Sequence, residues 1–133
     1  MVRFNEHFRK SICMKAFSLA TVLLVAGFAP AMSDDASIES VSAKQAGDTW
    51  TFSVTLLHGD TGWDDYADGW RVVLEDGTEI GMRVLYHPHV DEQPFTRSQS
   101  GIKIPDGTKT VFVEARTNTD GWGAARYTVD VTN

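Results

Sequence analysis

Three of the chain's four histidines, His58, His87 and His89, stand where predicted strands give way to loops. Imidazole both binds transition metals and titrates near neutral pH. His87-Pro88-His89 is the sharpest local pattern. Proline pushes the residue before it out of helical geometry and is itself compatible with extended chain. In extended chain, residues two apart project to the same side, so His87 and His89 are predicted to present their rings side by side. His58 continues the alternation of Trp50, Phe52, Val54 and Leu56, which turns it inward at the end of its strand. Three neutral imidazoles, with Asp60, Asp64 or Glu92 as a further ligand, would suit Cu(II) or Zn(II). Asp91 and Glu92 are near enough in sequence to accept from the second ring nitrogens. The structural alternative is a hydrogen-bonded rim histidine at 58 and two solvated loop residues at 87 and 89.

Two further groups share those loops. Asp60, Asp64, Asp65 and Asp68 crowd one segment, but their spacing departs from the alternate-residue pattern of a calcium loop, so calcium is the weaker expectation. Trp63, Tyr66, Tyr86 and Trp122 are the loop aromatics. Such rings give large contact area at low entropic cost and mark protein or glycan contacts; otherwise they cover the open end of a small core. Trp122, between Gly121 and Gly123, is expected to be the most exposed, and Trp63, Tyr66 and Trp122 form the alternative contact set. Catalysis finds little support. Ser98 and Ser100 near Arg97 lack a glycine elbow, and the paired carboxylates lie in an acidic loop with no apolar pocket to raise one pKa. Binding is expected, not enzymatic turnover.

These residues need a scaffold, and the chain past Asp35 supplies one with period two. Ser37–Gln45, Thr49–Leu57, Trp70–Leu74, Glu79–Tyr86, Phe95–Ile104, Lys109–Thr117 and Ala125–Thr132 read as strands. Thr49–Leu57 is the clearest: apolar residues at even positions alternate with hydroxyl-bearing ones at odd positions, as a half-buried antiparallel strand requires. In Glu79–Tyr86 the even residues Ile80, Met82, Val84 and Tyr86 are predicted to face inward. Glu75-Asp76-Gly77-Thr78 is a hairpin turn, with Asp-Gly expected to supply the positive-φ pair. Seven such strands with no helical period predict an all-β fold, a seven-stranded antiparallel immunoglobulin-like β-sandwich. Successive antiparallel strands alternate direction. Residues 46–48, 75–78 and 105–108 therefore form tight turns at one end, while the longer connections 59–69, 87–94 and 118–124 share the other.

Residues 1–31 have the layout of a secretory signal peptide. Arg3, Arg9, Lys10 and Lys15 precede an apolar run from Ala16 to Phe28 and then Ala29-Pro30-Ala31, a small-x-small pattern. Met14 offers an alternative start. The run is shorter than the roughly 20 residues of a membrane-spanning helix. Removing residues 1–31 takes four of the 12 basic residues and one of the 18 acidic ones, leaving 8 against 17 and a formal charge of −9 over residues 32–133. An acidic surface argues against nucleic acid as a partner. It favours a metal ion or an envelope protein. Cys13, the single cysteine, lies in the leader, so the exported domain carries no disulfide. Residues 32–133 are enough for one core without staples. One sandwich domain, periplasmic or secreted, is expected.

The segments Thr110–Gly123 and Tyr127–Val131 resemble the last two strands of fibronectin type III and other immunoglobulin-like domains. Gly62–Trp70 and Leu85–Ser98 resemble segments of small exported bacterial proteins of uncharacterised function. That resemblance implies fold and export and carries no activity.

Overall fold

Apolar alternation in Thr49–Leu57 finds its counterpart in Thr110–Thr117, and these two strands form the centres of two facing sheets. A computed structural model describes residues 34–132, with Gly27 in addition; the rest of the segment 1–31 expected to be a leader, Met14 and Cys13 included, lies outside the described residues. Eight strands run in chain order: β1 (Ser37–Ala46), β2 (Thr49–Leu57), β3 (Ala67–Val73), β4 (Glu79–Val84), β5 (Phe95–Ile102), β6 (Thr110–Thr117), β7 (Gly121–Trp122) and β8 (Tyr127–Asp130). One sheet has the order β1-β2-β5; the other runs β4-β3-β6-β7, with β8 also on β6. Every pairing is antiparallel, and no described residue is helical. The strand count is therefore eight, not seven. The additional strand is the two-residue β7, which pairs with the loop-end half of β6 while β8 takes the other half.

The core forms where the two inner faces meet. Phe52, Val54 and Leu56 of β2 and Phe95 and Ile102 of β5 pack with Trp70 and Val72 of β3 and Val111, Val113 and Ala115 of β6. The valines, leucine, isoleucine and phenylalanines among them each contribute about 1.5–3 kcal/mol by leaving water. Gly81 on β4 marks a close approach: a Cβ there would meet Ile102 Cδ1 of β5 at 2.7 Å.

That approach corrects the predicted facing of Met82, Val84 and Tyr86, though not of Ile80. Val72 pairs with Gly81 and Trp70 with Arg83, so Gly81 and Arg83 share the core side of β3; a register shift then sets Glu79 against Val73, and Ile80 packs on the core as expected. Leu85 is buried beyond the strand end, whereas Val84 and Tyr86 are exposed. Apolar residues at alternate positions could not reveal this, because the partner strand's register decides which set turns inward. The turn before β4 also differs: no non-glycine residue has positive φ, and Gly77 alone takes it, at 88°. Asp76 instead accepts from Thr78 N at 3.0 Å.

The outer face of the first sheet carries hydroxyls in cross-strand pairs. Thr51 bonds Ser100 at 3.0 Å, Ser53 pairs with Ser98 at 2.7 Å, and Thr55 pairs with Thr96 at 2.7 Å. On the second sheet, Glu114 accepts from Arg71 Nε at 2.8 Å and from Arg126 Nε at 2.9 Å.

Candidate metal centre

Antiparallel register builds the site. Ser37 at the start of β1 pairs with Leu57 at the end of β2, so the residues leading into β1 lie beside those leaving β2. Asp34 thereby reaches His58, whose side chain is fully buried, in keeping with its predicted inward facing. The chain then doubles back. Asp60 N donates to His58 O at 2.9 Å, Thr61 N to Asp65 O at 3.0 Å and Asp65 N to Gly62 O at 3.3 Å. Gly62, at φ 143°, takes a backbone conformation that side chains disfavour. This fold-back brings Asp65 Oδ1 to 3.7 Å from His58 Nε2.

Asp60 is the hub. Its buried carboxylate accepts from His58 Nδ1 at 2.6 Å and from Ala67 N at 3.1 Å on Oδ1, and from His89 N at 2.8 Å on Oδ2. With Nδ1 donating to Asp60, Nε2 of a neutral His58 is a lone pair. Around it stand only acceptors: Asp34 O at 3.1 Å, Asp34 Oδ2 at 3.5 Å and Asp65 Oδ1 at 3.7 Å. Four lone-pair atoms facing one another repel unless something positive lies among them. That is either a proton on Nε2 or a cation. Burial alone would lower the pKa of His58. The Asp60 hydrogen bond and the charges of Asp60, Asp34 and Asp65 outweigh it, and the net displacement is upward.

Among the described residues, Asp34, His58 and Asp65 are the group that brings three ligand atoms within 4.8 Å of one another. The structure thus joins His58 to two carboxylates and not to His87 and His89. Asp60, expected as a further ligand, stands behind the ring in the outer-sphere position that fixes a metal-binding tautomer.

His87 and His89 do lie side by side, their ring centroids 4.7 Å apart. Their surroundings differ from those of His58, however. His89 stacks on Phe95 at 3.9 Å with planes 9° apart. Arg97 Nη2 donates to its Nε2 at 2.9 Å, and its buried Nδ1 has no hydrogen-bond partner among the described residues. Burial, Arg97 and His87 all lower the His89 pKa, against smaller opposing contributions from Glu92 and Asp60. Glu92 is held by Arg97 at 3.3 Å and not by an imidazole. Asp64 is exposed in the loop. The Arg97 guanidinium already occupies the position from which a cation would approach His89 Nε2.

The aromatics separate as well. Trp63 packs edge-on against Tyr66 at 5.7 Å. Asn118 ties their loop to the end of β6, accepting from Tyr66 N at 2.9 Å and donating to Trp63 O at 3.0 Å. Trp122 is half-buried, and this overturns the expectation that it is the most exposed ring. β7 pairs Trp122 with Arg116, and the Arg71 guanidinium lies 4.0 Å from the indole centroid. Tyr86 and Trp63 are the more exposed rings. An open depression of about 660 Å³ lies at the opposite end, lined by Leu74, Glu75, Asp76 and Gly107–Thr110. It does not coincide with the histidine chemistry.

Sequence reasoning found His58 through strand parity and missed Asp34 and Asp65. The β1–β2 pairing was a usable signal for Asp34; Asp65 depends on the loop's path.

No family model matches the chain, and no solved structure matches it. A protein of Halomicrobium mukohataei described as "Putative lipoprotein" is 41% identical to it over 97 residues. The alignment covers 72% of this chain and 47% of that protein, so the chain spans about half the length of the curated relative it matches.

Proposed function

We propose that this is an exported, envelope-associated binding protein that holds a divalent transition metal between Asp34, His58 and Asp65. The observation carrying the reading is the set of acceptors around His58 Nε2, with Asp60 fixing the tautomer from behind. One imidazole nitrogen with carboxylate oxygens suits zinc ahead of copper, and calcium, which takes oxygen ligands, less well. Metal sequestration or delivery follows as the role, and binding without catalysis is its content. The 41% identical relative, described as a lipoprotein, supports export to the cell envelope. The grouping of β1, β2 and β5 against β3, β6 and β8, with β4 on the edge of the second sheet, supports an immunoglobulin-type sandwich.

Calorimetric titration with Zn(II) and Cu(II) tests the reading. The protein should take up one Zn(II) saturably with Kd below about 10 µM. Asp34→Asn/Asp65→Asn should weaken binding by about 10–100-fold or more, since the first-sphere ligands should matter at least as much as outer-sphere partners do. His87→Ala/His89→Ala should leave it unchanged. Absence of saturable uptake, or equal uptake by the Asp34/Asp65 variant, would sink the proposal.

A further inference from the structure

Five large apolar side chains of the described residues are exposed: Leu57 at 43%, Trp63 at 67%, Val84 at 41%, Tyr86 at 78% and Val90 at 52%. All five lie at the loop end. Leu57 closes β2, Val84 closes β4, and the other three stand in the two loops that follow those strands. The turn end has none among the described residues. Exposed apolar side chains scattered singly need no explanation, but concentration at one end of a small domain marks a contact surface.

The charge at this end indicates the partner. Asp64 and Asp91 are exposed in the same loops. Of the nearby arginines, Arg97 pairs with Glu92 at 3.3 Å and Arg116 approaches Asp68 at 3.8 Å, whereas the partly buried Arg83 Nε has no hydrogen-bond partner among the described residues. The loop end thus offers aromatic faces among uncompensated carboxylates. Lysine and arginine side chains satisfy both, the cation lying over a ring and bonding a carboxylate. The surface is also held in place before contact. Trp63 is braced by Tyr66, and Asn118 ties their loop to β6, which lowers the cost of ordering on binding. An anionic lipid surface would be repelled by the same carboxylates.

We infer that the loop end docks a cationic polypeptide segment of a partner protein, with lysine or arginine against Trp63, Tyr86, Asp64 and Asp91 and an apolar neighbour against Val90. The inference is independent of the metal proposal, because none of these residues belongs to the His58 cluster.

Selection from a random dodecapeptide library against the purified protein tests it, followed by affinity measurement on a selected peptide. The library should enrich lysine or arginine beside apolar residues, and binding should weaken as salt rises. Trp63→Ala/Tyr86→Ala and Asp64→Asn/Asp91→Asn should each weaken binding by about tenfold or more, as for central contact residues. All four positions are at the surface, so both variants should keep the wild-type circular dichroism spectrum. Enrichment of acidic peptides, no enrichment, or equal affinity in either variant would overturn the inference. So would Trp63- and Tyr86-dependent binding to neutral phosphatidylcholine vesicles in a protein that selects no peptide, since the surface would then face lipid.

Discussion

His58 and His89 are both buried, both at the loop end, and both attached to the same carboxylate, yet their chemistry is opposed. His58 offers Asp60 its ring; His89 offers Asp60 only its backbone N–H. Beyond the ring of His58 stand Asp34 and Asp65. Beyond the ring of His89 stand Phe95, Arg97 and His87. One neighbourhood raises the pKa and the other lowers it. Burial acts in the same direction on both, so the charged neighbours decide the difference. Whether an imidazole here can hold a cation depends on what faces Nε2, not on its distance in sequence from another histidine.

Asp60 links the two regions, so its loss should have the largest effect. Asp60→Ala would leave His58 Nδ1, Ala67 N and His89 N without their buried acceptor. The expected loss is about 3–5 kcal/mol in urea denaturation, as for removing one partner of a buried ionic network. Asp60→Asn keeps one acceptor but sets an amide donor against N–H groups, and should recover only part of that loss. If both variants stay within about 1 kcal/mol of the wild type, the carboxylate does not join the two regions energetically.

The contrast between His58 and His89 also shows what was legible in the sequence. β2 was, because from Thr49 to Leu56 apolar and hydroxyl residues alternate strictly and the two faces meet different media. The inward turn of His58 followed from the same parity. The facing of β4 was legible only at Ile80, which packs on the core: Met82, Val84 and Tyr86 continue the alternation, yet a register shift at Val73 sets Gly81 against Val72 and turns those three away. β7 was hidden because two residues cannot show a period, and Trp122 was consequently misplaced. Pro88 correctly brought His87 and His89 together. Arg97, which donates to His89 Nε2, comes from β5, beyond the intervening loop. Asp34 and Asp65 needed register and loop path, both of them non-local.

Opposed pKa displacements predict opposed pH dependences. His58, with its folded pKa raised, contributes stability that is fully present below its unfolded value, near 6.5. That contribution is lost as pH rises through the folded pKa. His89, with its folded pKa lowered, contributes stability present above about 6.5, lost as pH falls toward its folded value. In chelator, the melting temperature should therefore peak near pH 6.5 and decline on both sides. His58→Gln should flatten the alkaline flank and His89→Gln the acid one. A variant that flattens the wrong flank, or both together, would break the contrast. The lowered carboxyls of Asp76, Glu92 and Asp130 act below this window, around and under pH 4.5.

The smallest effect isolates the field around His89 from its burial. Arg97→Met removes the donor to His89 Nε2 and the partner of Glu92 while keeping an aliphatic stem near Phe95. Arg97 lowers the pKa of both groups, so both should move back up, by an amount readable in histidine and carboxyl NMR titrations. His58 should move far less, because Arg97 reaches its cluster only through His89 and Asp60, and salt screens charges across such a surface. Stability should change little, since exposed ion pairs such as Arg97–Glu92 contribute about 0–1 kcal/mol. Should His89 keep its lowered pKa in this variant, desolvation and the neighbouring His87 would account for it. Arg97 would then no longer explain why cations avoid the His87 and His89 pair.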